Sequence, residues 1–161
     1  MYVGNRDVTS YDAISGATLA TSNQLFKDSA YYSVFVLGTN GNYRNLIVRD
    51  SLENLASTTG EAFVRYVNAM PDSTKQPLVT VSSNGTDVFK SNASFATVSN
   101  FKGVTPGNIS VKVNDETVNA DRIIAVEQGK VYTILLAGIP QETEPTKAVQ
   151  IKFIQNGTIT P

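Results

Sequence analysis

Apolar and polar residues alternate with period two along nearly the whole chain, and helical periodicity is almost absent. The alternation predicts strands at residues 7–13, 18–26, 31–37 and 43–49. After a polar break it predicts strands at 61–69, 78–83, 87–90, 94–101, 109–114, 120–127, 131–137 and 148–155. Many short, evenly spaced strands point to an antiparallel sandwich or barrel. The breaks carry turn chemistry. Asn84-Gly85 suits a two-residue hairpin loop, and Pro106-Gly107 suits a type II turn. Gly129 is expected to supply a left-handed turn residue between two paired strands. Asn114-Asp115 opens another reversal, and Pro71 ends the strand before it because it cannot donate to a ladder. The stretch "DSLENLASTTG" (50–60) is the candidate linker. Its first half suits a helical turn with Ser51 as cap and Leu52 and Leu55 inward, and its second half is small and polar.

The pattern also repeats. "AYYSVFVLG" (30–38) is echoed by "KVYTILLAG" (130–138), which sets Tyr32 on Tyr132, Val34 on Ile134, Val36 on Leu136 and Gly38 on Gly138. "GNRDVTSYD" from Gly4 aligns with "GNISVKVND" from Gly107, and "NLIVRDS" from Asn45 loosely with "VQIKFIQ" from Val149. These matches keep their order along the chain, as an internal repeat does. The expected organisation is a partial unit over 1–57, equivalent to the last half of a sandwich, and a complete unit over 58–161. In the repeat Ser29 stands where Gly129 is, so that turn is expected to differ.

Parity assigns the second unit's core to Ala62, Val64, Tyr66, Val79, Val81, Phe95, Phe101, Ile109, Val111, Val113, Ile124, Val126, Tyr132, Ile134 and Leu136. By analogy Tyr32, Val34 and Val36 are core residues of the first. The other parity is not polar as a solvated face should be: Phe63, Val131 and Leu135 lie on it, as do Tyr31 and Phe35 in the first unit. Either loops fold over this face, or the units bury it against each other or against another subunit. Phe35, Phe63 and Leu135 are therefore the interface candidates.

Composition narrows the chemistry. With 13 basic and 14 acidic residues among 161, the net charge of −1 gives no electrostatic reason to expect nucleic acid or an anionic membrane. No apolar run approaches the roughly 20 residues of a membrane helix, so insertion is not expected. Cys, His and Trp are absent, which removes disulfides, thiolate nucleophiles, Ser-His-Asp chemistry and imidazole metal ligands. The opening residues lack a basic segment followed by an apolar one. The chain is expected to be cytosolic, or a processed or shortened form of an exported protein; the polar, Cys-free, β-rich composition favours export.

Three candidate sites remain. The acids Asp115-Glu116 and Glu142/Glu144 are the carboxylates available for glycoside hydrolysis or calcium, although acids on tight turns are ordinarily just solvated. Tyr11, Tyr31 and Tyr43 are the least core-like aromatics and the candidates for stacking on a sugar. The four Asn-x-Ser/Thr triplets, at Asn84, Asn92, Asn108 and Asn156, occur at about chance frequency in so Asn-, Ser- and Thr-rich a chain.

From Gly60 to about Gly157 the chain resembles the bacterial DUF4397 family. The resemblance rests on "AFVRYVNAMPDS", "PLVTVSSNGTDVF", "FATVSNFKGVTPGNISVKV" and "EQGKVYTILLAG". It implies an immunoglobulin-like or transthyretin-like β-sandwich, found in secreted and surface proteins, often in tandem, with no established catalytic residue and no cofactor. The expectation is a non-enzymatic module outside the cytoplasm (extracellular, cell-surface or periplasmic) that acts as a spacer or binding unit. Two alternatives stand beside it: an assembly or adhesion subunit completed by strand exchange with another chain, and a carbohydrate-binding or glycan-processing protein. Expected partners are a protein or a cell-surface glycan, or a second copy joined through the incomplete unit.

Overall fold

A computed structural model describes residues 3–55, 60–72 and 74–159. The chain divides into two compact units, Met1–Asn54 and Leu55–Pro161. The expected boundary between positions 57 and 58, and the small polar half of the linker, lie outside the described residues. The other half of the linker forms a short 3₁₀ turn at Leu52–Asn54.

The first unit consists of two antiparallel hairpins: β1 (Gly4–Tyr11) with β2 (Thr18–Phe26), and β3 (Tyr32–Thr39) with β4 (Asn42–Arg49). Asn45 joins them. Its amide nitrogen donates to the Val8 carbonyl at 2.9 Å and to the Ser22 hydroxyl at 3.3 Å, and its amide oxygen accepts the Ser10 hydroxyl at 2.7 Å.

The second unit is a two-layer sandwich. Its strands are β5 (Ala62–Asn68), β6 (Leu78–Ser83), β7 (Thr86–Asn92), β8 (Lys102–Val104), β9 (Gly107–Asn114), β10 (Asn119–Val126), β11 (Lys130–Ala137) and β12 (Gln150–Thr158). One sheet has the order β10-β9-β6-β7 and the other β12-β11-β5-β8. Both contribute to one core, in which Val79, Val81, Ile109, Val111, Val113 and Ile124 meet Val64, Tyr66, Tyr132, Ile134, Leu136 and Ile151. Asn84 and Gly85 both take positive φ (49° and 78°), as the two-residue loop between β6 and β7 requires.

One pairing departs from the antiparallel expectation: β5 and β11 run parallel at the centre of their sheet. Such strands are covered on both faces and read as continuous apolar runs, which explains the apolar residues at both parities of "AFVRYVN" and "KVYTILLA". Every residue of β5 is buried.

Several expectations are corrected. Residues 94–101 do not form a regular strand. The chain there follows β5 through a bridge between Val67 and Val98 and hydrogen bonds between Ser99 and Tyr66, then slips register by one residue before β8. Asn100 and Phe101 together face Arg65 across that slip, as in a β-bulge. Phe101 is thereby thrown onto the outer face, and neither it nor Phe95 joins the core. Gly129 does not link paired strands: β10 and β11 lie in different sheets, so its turn carries the chain across the sandwich. The turn at Ser29 does not differ. Ser29 takes φ 54° and Gly129 takes 71°, both left-handed. In the first unit Val34 and Val36 are 45% and 44% exposed, whereas their counterparts Ile134 and Leu136 are fully buried. On β3 the most buried residue is instead Leu37, 3% exposed and on the opposite parity, and among the described residues β3 and β4 form a sheet of only two strands.

Candidate functional site

The outer face of the β12-β11-β5-β8 sheet holds the most deeply buried charge of the described residues. Arg65, on β5, is 2% exposed. Parallel pairing sets it beside Thr133 on β11, and its Nε donates to the Thr133 hydroxyl at 2.9 Å. That hydroxyl donates onward to the Asn156 amide oxygen at 2.7 Å. The Phe101 ring lies under the guanidinium, 4.5 Å from Cζ to centroid. A buried cation is tolerated only when hydrogen-bonded, and a desolvated guanidinium on an aromatic face gains about 2 kcal/mol. This arrangement fastens the irregular 94–101 segment, through Phe101, to the two central strands. The sequence pattern did not single out Arg65 or its partners. The available signal was an Arg inside a run that is apolar at both parities.

Each unit carries the same local motif. The Tyr132 phenol oxygen accepts the Glu127 backbone N–H at 3.1 Å, and the Tyr32 phenol oxygen accepts the Lys27 N–H, also at 3.1 Å. A Tyr near the start of a strand, bonded back to the chain a few residues upstream, is the tyrosine corner of β-sandwiches. Each Tyr also packs on an aromatic ring: Tyr32 edge-on to Phe26 at 4.9 Å, and Tyr132 stacked on Phe153 at 4.5 Å. The strands that follow end alike. Gly38 and Gly138 have φ of 121° and 113°, and a Cβ there would meet the Asn42 or Ala148 carbonyl oxygen at 1.9 or 2.3 Å.

The hairpins match in register too. Gly4 pairs with Phe26 as Gly107 pairs with Val126, and Ser10 pairs with Ala20 as Val113 pairs with Ala120. Val36 faces Asn45 as Leu136 faces Ile151. Asn45 therefore corresponds to Ile151, not to Val149 as the loose sequence match had it. A core apolar position of the second unit is an inter-hairpin amide in the first.

The candidate acids are engaged in their own turns. Partial burial pushes the Asp115 carboxyl up, but hydrogen bonds from the Thr117 N–H and hydroxyl and the Val118 N–H outweigh it and leave Asp115 below the ordinary 3.8. Glu116 pairs with Lys75 at 3.1 Å. Glu142 accepts the N–H groups of Thr143 and Glu144. Glu144 pairs with Lys147 and accepts the Thr146 hydroxyl, and these contacts lower its pKa. No group of three or more acids is placed to hold a metal ion among the described residues.

The candidate tyrosines lie in the first unit. Tyr11 and Tyr31 are 60% and 65% exposed, and Tyr43 is 36% exposed. Tyr31 borders a shallow depression with Lys27, Asp28 and Ser29. Of the interface candidates, Phe63 is buried while Phe35 and Leu135 are half-buried. No helix among the described residues is long and apolar enough to cross a membrane.

No curated protein matches the chain. Residues 62–157, more than half of its length and all but the margins of the sandwich unit, match the family described as Domain of unknown function (DUF4397). The chain belongs to the DUF4397 family.

Proposed function

We propose that this chain is a segment of a repeated β-sandwich array exported from the cytoplasm, acting there as a spacer or binding unit and not as an enzyme. The observation that carries this reading is the match of β1–β4 to β9–β12 in hairpin register, tyrosine corner and strand-end glycine. On this reading the first unit is the last half of one sandwich and the second unit is the next sandwich in the array. A chain without His or Cys, whose candidate acids each serve a local turn or surface pair, supports a structural role. The polar, Cys-free composition supports export. Tyr11 and Tyr31 are the exposed aromatic surfaces that a protein or glycan partner would meet.

Two measurements test this reading. Fractionation of the native host is expected to place the protein outside the cytoplasm. Purified protein is expected to leave a panel of glycans uncleaved. Glycan hydrolysis that disappears in Asp115→Asn or Glu144→Gln, or a cytoplasmic location, overturns it.

A further inference from the structure

Resting on the reading of the first unit as a half-sandwich, we propose that its β1 and β3 edges and the apolar face between them dock a polypeptide segment of the β5–β8 kind, supplied from outside these 161 residues. The second unit provides the template. There β9 has β10 on one edge and β6 on the other, with Val111 opposite Val81. Likewise β11 has β12 on one edge and β5 on the other, with Ile134 beside Tyr66. In the first unit β1 pairs with β2 and β3 with β4, and among the described residues neither gains a second neighbour in its sheet.

Burial follows the pairing. Ile134, Leu136 and Val111 are fully buried under β5–β8, while Val34 and Val36 stand 45% and 44% exposed and Val8 is half-buried. Unpaired edges beside an exposed apolar face are the surface that β-strand addition uses.

Counting identifies the occupant. Among the described residues there are one β5–β8 set and two sets of the β9–β12 kind. Any exchange among copies of the same chain preserves that ratio, so each half-sandwich covered this way uncovers another. The occupant is therefore a further segment with the β5–β8 pattern. It has a strand apolar at both parities to run parallel to β3, an alternating strand to run antiparallel to β1, and a tight hairpin after that.

The probe is a polypeptide of residues 60–105 of this chain, added to the full chain and followed by amide hydrogen exchange. Binding at one per chain is expected, with exchange in β1 and β3 slowed by at least about ten-fold and exchange in β9 and β11 unchanged. Val34→Asp is expected to abolish binding; the exposed valine admits a charge without unfolding the unit. If the probe precipitates, residues 60–105 fused ahead of the chain must give the same slowing. Unchanged exchange in β1 and β3 in the fusion overturns the proposal. So does uptake of the probe by β9 and β11, or a full-chain dimer that protects Val34 and Val36 without the probe. Failure here leaves the spacer reading standing, whereas an acid-dependent hydrolysis would remove that reading and leave the docking result intact.

Discussion

The Tyr132 phenol oxygen accepts the Glu127 backbone N–H at 3.1 Å, five residues upstream and on the far side of the turn between the two sheets. The bond closes the chain crossover and satisfies a backbone donor at the point where β10 has ended. Glu127 is an exposed residue, so the loss is that of an ordinary hydrogen bond, about 0.5–1.5 kcal/mol. Tyr132→Phe is accordingly expected to lower the stability of the second unit by about 0.5–1.5 kcal/mol. Tyr32→Phe is expected to act on the first unit by the same loss of the Lys27 contact. Urea titration of each variant measures the effect, and no change in midpoint would show that water replaces the phenol at no cost.

Gly138 and Gly103 make a discriminating pair. A Cβ at Gly138 meets the Ala148 backbone carbonyl at 2.3 Å, at a φ of 113°. Backbone cannot step aside as a side chain can, so Gly138→Ala is expected to cost at least about 2 kcal/mol. A Cβ at Gly103 meets the Glu61 carboxylate at the same 2.3 Å, without a positive φ. Gly103→Ala is expected to cost under about 1 kcal/mol, because a flexible side chain moves. Equal losses of thermal stability would contradict this account.

Thr133 joins Arg65 to Asn156. Thr133→Val keeps the shape and removes the hydroxyl, leaving a buried guanidinium N–H and an amide oxygen each short of a partner. The expected loss is about 1.5–3 kcal/mol. Arg65→Lys is expected to be damaging as well, because an ammonium cannot lie flat on Phe101 or present the same fork of donors. Chemical denaturation of both variants, with proteolysis at 94–101 as a local readout, checks this.

Ser29 holds a left-handed conformation, at φ 54°, where Gly129 holds 71°. A residue with a Cβ loses about 1–2 kcal/mol there, part of which glycine gives back through a freer unfolded chain. Ser29→Gly is therefore expected to stabilise the first unit by up to about 1 kcal/mol. A measured destabilisation would mean that the serine hydroxyl contributes more than the strain removes.

Asp115 organises the β9–β10 turn as a carboxylate and is held below the ordinary 3.8. For a depressed acid, the stabilisation is present above the unfolded value and is lost as pH falls through the folded one. Amide exchange at Thr117 and Val118 is expected to be pH-independent, once corrected for intrinsic rates, above about pH 5, and to accelerate below 3.8. Asp115→Ala is expected to remove this acid step, and an unchanged profile in that variant would show that another group is responsible.

Most strand positions, the paired Tyr32 and Tyr132, and the Asn84-Gly85 hairpin were legible in the sequence, because alternation and turn chemistry are local. The Arg65 cluster was not. Thr133 and Asn156 lie 68 and 91 positions away from Arg65, and only the parallel pairing of β5 with β11 and the antiparallel pairing of β11 with β12 bring them together. Phe101 was misassigned to the core because a one-residue slip in register exchanges the two faces of a strand.

By itself, the sequence determined that the chain is β-rich, where it turns, which residues share a parity, and that 30–38 and 130–138 follow one pattern. These are properties of neighbouring residues, and the period-two pleat carries them. Whether a parity is buried depends on which strands lie beside and above it, and only the tertiary structure decided that. Val34 and Ile134 sit at the same place in the same local pattern. One is nearly half exposed and the other fully buried, because β5 runs beside β11 and, among the described residues, no third strand joins the β3–β4 sheet.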